Sequence, residues 1–181
     1  KRIIEDFGYR RRRFLVICPA QLDGMWRKEL KDLGLAENII HHEELGKWPI
    51  DLDALERARG INLRSLQLIV VDESHNFRNP LANRHEGLHQ LIQRASSQPP
   101  KPNILLMTAT PMSNTLWDIY YQLKLILHYD DRALAGDGIT DLQKEFRLAE
   151  ERGAGYLGDV LQLVSIRRTR QYIKENYPDA K

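Results

Sequence analysis

The sequence has a single cysteine, Cys18, so it cannot close an internal disulfide, and a reducing, cytoplasmic compartment is expected. It has no long apolar run. The longest, around Leu66–Val71 and Ile104–Met107, fall far short of the roughly 20 residues that cross a bilayer, so no membrane partner is expected. Lys1-Arg2 is followed by only two apolar residues before Glu5 and Asp6, a pattern that predicts no secretory leader in this sequence. Charge of one sign is missing as well: 27 Lys and Arg stand against 25 Asp and Glu, a formal net of +2, so net charge alone names no partner. Glycine (11) and proline (8) are too few in 181 residues for a collagenous or low-complexity chain, and no internal repeat is visible.

What is present is globular. Hydrophobic residues make up 42% and charged residues 29%, and a chain of 181 residues can bury about 70% of its unfolded surface in one domain or slightly more. Arginine outnumbers lysine and gathers at Arg10–Arg13 and at Arg167, Arg168 and Arg170, where guanidinium forks would suit phosphate oxygens as well as a solvated surface. Three short runs rich in Ile, Leu and Val read as buried strands: Phe14–Cys18, Leu66–Val71 and Ile104–Thr108. Asn38–His42 is a weaker fourth. Between them, Gln21–Leu33, Leu81–Arg94 and Leu116–Leu127 carry helical spacing, the last with Asn114 or Thr115 available as a cap. Strands alternating with helices, without hairpin turns, predict an α/β fold with a parallel sheet and helices on both faces. After a polar stretch at Asp130–Gly138, helical patterns at Thr140–Glu150 and Tyr156–Val164 and a charged helix from Thr169 predict a helical extension. Lys1–Gly8 reads as the last turns of a helix that opens without a cap, which suggests a longer parent chain.

The strongest chemical signal is the buried run Leu66–Val71 leading straight into Asp72-Glu73-Ser74-His75. In an open parallel sheet, functional groups collect beyond the carboxyl ends of the strands. One carboxylate there can hold a hydrated magnesium ion and its neighbour can take a proton from an attacking water, which together serve hydrolysis of a phosphate anhydride. A second strand ends in Thr108-Ala109-Thr110-Pro111, whose hydroxyls could bond to an acidic cluster on the neighbouring strand or simply cap the next helix. A third, Phe14–Cys18, runs through Pro19-Ala20-Gln21 into a helix with Trp26 and Glu29-Leu30; such a helix start can meet a phosphate or be an ordinary connection.

In this order the three segments resemble the first RecA-like lobe of superfamily-two helicases, and more narrowly the Swi/Snf-type translocases of the bacterial HepA/RapA-like branch. Val16-Ile17-Cys18-Pro19 with Trp26 is similar to motif Ia, Asp72-Glu73-Ser74-His75 to motif II (the Walker B element), Thr108-Ala109-Thr110-Pro111 with Asn114 to motif III, and Arg167-Arg168-Thr169-Arg170 to the paired arginines that follow the lobe. The resemblance implies ATP and Mg2+ as cofactors, duplex DNA rather than a single strand as partner, and a second RecA-like lobe in the parent. It implies that Asp72 holds the magnesium through water and that Glu73 orients and deprotonates the attacking water. His75, Thr108 and Thr110 would couple nucleotide state to DNA, and Pro19, Gln21, Asn114, Arg167 and Arg168 would lie toward the nucleic acid. The family's phosphate loop, Gly-x-x-x-x-Gly-Lys-Ser/Thr, is absent from this sequence: the pair Gly46-Lys47 is followed by Trp48, and His41 stands where the first glycine belongs. The expectation is therefore an incomplete RecA-like lobe at 1–128 with a helical extension at 129–181, a fragment of an ATP-dependent translocase that is inactive alone. The alternative is a module that binds nucleic acid or a partner without hydrolysis.

One competing motif remains. His85-Glu86-Gly87-Leu88-His89 fits the helical zinc-peptidase pattern, in which histidines four apart share a face, but no third ligand follows at the expected spacing and Gly87 weakens the helix. His41-His42-Glu43-Glu44 reads as a surface loop or edge strand, and Trp117, Tyr120 and Tyr121 as core rather than a base-stacking platform.

Overall fold

The computed structural model describes residues 13–32, 34–35, 37–110 and 115–166. The chain forms two compact units, the first ending at Ala133 and the second starting at Leu134.

The first unit is built on four parallel strands: β1 (Phe14–Cys18), β2 (Ile39–His41), β3 (Leu68–Val71) and β4 (Asn103–Leu106), in the spatial order β2-β1-β3-β4. Phe14 lies opposite Leu68 and Ile17 opposite Val71, while Val71 in turn faces Leu106, so the carboxyl ends of β1, β3 and β4 are level. The side-chain period of two divides the apolar residues into two layers. Leu15, Ile17, Ile40, Ile69 and Val71 pack on one face with Leu45, Leu88, Leu91, Ile92 and Leu125. Phe14, Val16, Cys18, Ile39, Leu68 and Val70 pack on the other with Leu30 and Trp26. Burial on both faces is why these strands read as continuous apolar runs rather than as alternation.

The first layer is closed by α2 (His42–Leu45), α3 (Leu52–Arg59), α4 (Asn83–Ala95) and α5 (Leu116–Ile126), and the second by α1 (Asp23–Asp32). α3 is defined by its ends: the Asp51 carboxylate accepts from the Ala54 N–H at 2.8 Å, and Gly60 sits in the left-handed region at φ 61°. α2 meets α4 closely. A Cβ placed on Gly87 would lie 2.1 Å from the Leu45 carbonyl oxygen, so a residue that costs α4 helical propensity is what lets the two backbones touch.

Several boundaries differ from the sequence expectation for identifiable reasons. β3 starts two residues later than Leu66, because Leu63–Ser65 is a turn of 3-10 helix that drives Leu63 and Leu66 into the core. β4 stops before Thr108: Met107 still donates to the Val71 carbonyl at 2.8 Å, and the chain then turns away. His42 is not at the surface but fully buried as the first residue of α2. Tyr120 is buried as expected, and Trp117 packs edge-on against it, with ring centroids 5.1 Å apart.

In the second unit α6 (Leu142–Arg152) begins two residues after Thr140 because Asp141 takes the cap position, its carboxylate accepting from the Lys144 N–H at 2.9 Å. Leu142, Phe146 and Ala149 recur at helical spacing and are buried, as are Leu157 and Val160 of the following turn and α7 (Gly158–Val164). The expected helices at Lys1–Gly8 and from Thr169 lie outside the described residues. Among the described residues no helix is long and apolar enough to cross a membrane.

Candidate active site

The site begins where β3 ends. The Asp72 N–H donates to the Ile17 carbonyl at 2.8 Å, which extends the ladder by one residue and holds Asp72 at the carboxyl edge of the sheet. Its carboxylate is held from two sides: the Glu73 N–H donates to Oδ1 and the Trp26 indole Nε1–H donates to Oδ2, each at 2.9 Å. A carboxylate has about four lone-pair directions, so each oxygen keeps one free for a ligand.

Glu73 is left-handed, at φ 48° and ψ 47°. For a residue with a Cβ this conformation costs on the order of 1–3 kcal/mol and persists only where its surroundings enforce it. The enforcing contact is the next residue. The buried Ser74 donates its N–H to the Met107 carbonyl at 2.9 Å, and its hydroxyl donates to Gln122 Oε1 at 3.0 Å. The turn is thereby fixed to the end of β4 and to α5 at once.

His75 completes the constellation. Its Nδ1 lies 3.1 Å from Glu73 Oε2 and 3.2 Å from Thr108 Oγ1, so one ring N–H stands between a carboxylate and a hydroxyl carried by different strands. Thr108 Oγ1 also accepts from the Thr110 N–H at 3.1 Å, so Thr110 joins through its backbone. Arg78 donates to the His75 carbonyl at 3.0 Å and lies 3.8 Å from an Asp118 carboxylate oxygen.

The environment sets protonation behind this edge. Burial, and then the neighbouring acids Asp23, Asp72 and Glu43, push the Cys18 thiol up to about 11, so it is no thiolate nucleophile at neutral pH. Burial, followed by the nearby Arg84 charge, brings His42 down to about 4 and keeps it neutral, edge-on to Phe77 with ring centroids 4.6 Å apart.

The structure thus brings together Asp72, Glu73, His75, Thr108 and the backbone of Thr110. Pro19 and the exposed Gln21 share the carboxyl edge of the sheet, in the turn between β1 and α1. Asn114, Arg167 and Arg168 lie outside the described residues. Trp26, Ser74, Arg78 and Gln122 belong to the site although the sequence assigned them no role: Trp26 and Ser74 stand inside the motifs named above, but the contacts that give them a part span up to 48 residues, which no local pattern shows.

The zinc-peptidase pattern does not assemble. His85 is buried, with Nδ1–H donating to the Phe77 carbonyl and Nε2 accepting from the Tyr129 hydroxyl, so both ring nitrogens are spent on the protein. His89 stacks on the Tyr129 ring with centroids 3.7 Å apart. Among the described residues no group of three His, Cys, Asp or Glu side chains could hold a metal ion.

Residues 39–119 match the family model described as DEAD/DEAH box helicase. Among solved structures the chain is similar to the Sulfolobus solfataricus SWI2/SNF2 ATPase core in complex with dsDNA, with 15% identity, a TM-score of 0.57, and coverage of 93% of this chain and 36% of that one. The chain therefore spans little more than a third of that neighbour's length. No curated protein matches it. By the structural likeness the chain has the fold of a RecA-like lobe, a parallel sheet flanked by helices, and its residues 39–119, which carry the acidic turn, are similar to the DEAD/DEAH box helicase family.

Proposed function

We propose that this lobe is part of an ATP-dependent translocase that acts on duplex DNA, with Asp72 and Glu73 as its hydrolytic pair. The observation that carries the reading is the turn itself: two adjacent carboxylates at the carboxyl edge of a parallel sheet, one held by two N–H donors and the other joined through His75 to the hydroxyl of the neighbouring strand. The SWI2/SNF2 neighbour, solved on double-stranded DNA, supports duplex DNA as the partner.

The residues fit one side of a magnesium nucleotide. Asp72 retains an unshared lone pair on each oxygen, the donor set a hydrated magnesium ion takes from one carboxylate and a few waters. Magnesium, when bound there, withdraws charge from the terminal phosphate oxygens. Glu73 is partly open to solvent, with 38% of its side chain exposed, and would take the proton of the attacking water. On taking that proton its carboxylate becomes a weaker acceptor, and the His75 N–H then favours Thr108. Hydrolysis is thereby reported to the turn after β4. Pro19, Gln21, Asn114, Arg167 and Arg168 are proposed to face the DNA backbone, and a second RecA-like lobe to complete the nucleotide site.

The 181-residue sequence contains no phosphate-cradling glycine loop, so ATP turnover is assigned to the full-length protein and none to this chain alone. The test is ATP hydrolysis by the full-length protein with and without duplex DNA. Stimulation by duplex supports the reading; turnover indifferent to DNA, or robust turnover by the 181-residue chain, overturns it.

A further inference from the structure

We propose that Trp26 is the positioning residue of the magnesium carboxylate: its indole N–H fixes the rotation of the Asp72 side chain. The inference rests on the assignment of Asp72 given above. The Glu73 N–H is part of the same turn and follows Asp72 wherever that turn goes, whereas the indole comes from α1, 46 residues earlier in the chain. Among the described residues it is the one side-chain donor to this carboxylate. Trp26 is itself held, since its ring packs into the layer formed by Phe14, Val16, Cys18 and Leu30. An indole has one N–H and no acceptor, so it can only pin an oxygen and cannot compete for the cation. Without it only the Glu73 N–H restrains the carboxylate about its terminal torsion, which is otherwise broad, and Oδ2 is left unpinned.

The placement also makes Trp26 a strut between two functions. α1 follows directly from the turn that carries Pro19 and Gln21, so a displacement of that turn moves the donor on which Asp72 depends.

Trp26→Phe removes the N–H while keeping a smaller aromatic ring in the layer, and the magnesium-free affinity controls for the packing that is lost with the larger indole. In the full-length protein, affinity for a non-hydrolysable fluorescent ATP analogue is measured with and without Mg2+. Trp26→Phe is expected to lower the magnesium-dependent gain in affinity about tenfold, the low end for a hydrogen bond to a charged group, with magnesium-free affinity unchanged within about twofold. A Trp26→Phe protein with the wild-type magnesium gain overturns the proposal, whether or not Trp26→Ala is impaired, because packing alone then suffices. Asp72→Ala is the reference. Loss of its magnesium gain while Trp26→Phe keeps it rejects Trp26 only; retention of the gain in Asp72→Ala rejects the magnesium assignment and the inference with it. A second readout needs no nucleotide. In the full-length protein, hydrogen exchange of the Trp26 indole N–H should quicken at least about tenfold in Asp72→Ala, and unchanged exchange would contradict the contact.

Discussion

Gly87→Ala sets two physical effects of opposite sign against each other. Gly87 lies inside the thirteen-residue helix α4, where helix propensity alone predicts that alanine stabilises by up to about 1 kcal/mol. The tertiary contact predicts the reverse. The new Cβ would meet the Leu45 carbonyl oxygen at 2.1 Å and its carbonyl carbon at 3.0 Å, and both are backbone atoms that cannot rotate away. Relief requires α2 and α4 to part by about 1 Å, where Leu45, Leu88 and Leu91 are fully buried. Overpacking of this kind costs about 1–3 kcal/mol and occasionally more. We expect a net loss of about 2 kcal/mol, which at an m-value of about 2 kcal/mol per molar lowers the urea midpoint by about 1 M. Gly24→Ala is the matched control: it too is helical, and nothing lies within 4 Å of its added Cβ, so it should be neutral or stabilise by a few tenths of a kcal/mol. If Gly87→Ala stabilises as its control does, the close approach of α2 and α4 is wrong.

Three further outcomes follow from the same contacts. His42 is neutral in the fold down to about pH 4, while in the unfolded chain it takes up a proton near pH 6.5, so the unfolded state binds more protons in between and stability falls as pH drops through that window. The loss between pH 7 and pH 5 should be about 2 kcal/mol by urea denaturation, and His42→Leu should flatten that slope; an unchanged slope would count against a buried neutral imidazole. His85 and His128, also lowered by burial, add in the same direction, whereas Asp23, lowered by its bonds to Arg27 and His41, acts only as pH falls toward and below the usual carboxylate range. Ser74→Ala leaves the buried Gln122 amide oxygen without its hydroxyl donor and should cost about 1–2 kcal/mol in urea midpoint experiments, with no cost expected if that bond is absent. Binding of duplex DNA through arginines should fall by about one decade per decade of salt for each phosphate contact, and a flat salt profile would remove the electrostatic contribution.

The sheet was legible because burial on both faces leaves unbroken Ile, Leu and Val runs; Phe14–Cys18 is read to the residue. The acidic turn was legible for a related reason, since a strand that ends in Asp72-Glu73 can only present them at the sheet edge. α2 and α3 were not. α2 is a single turn whose first residue, His42, is polar by type yet buried, so hydropathy points the wrong way. α3 carried its signals in Asp51 and Gly60, but has no fully buried side chain to give it an apolar stripe. Gly87 looked like a defect of its helix and is instead the point of backbone contact, which no single-segment pattern can show. The Trp26–Asp72 bond was hidden in the same way, because it joins segments 46 residues apart.

The role proposed for Glu73 is to remove the proton from water at a nucleotide held by this edge. Its most direct test is Glu73→Gln in the full-length protein, with ATP affinity and steady-state turnover measured side by side. ATP affinity is expected to stay within a few-fold of wild type, with turnover reduced at least about 100-fold, the low end for loss of a general base. Turnover close to wild type with ATP still bound would contradict it.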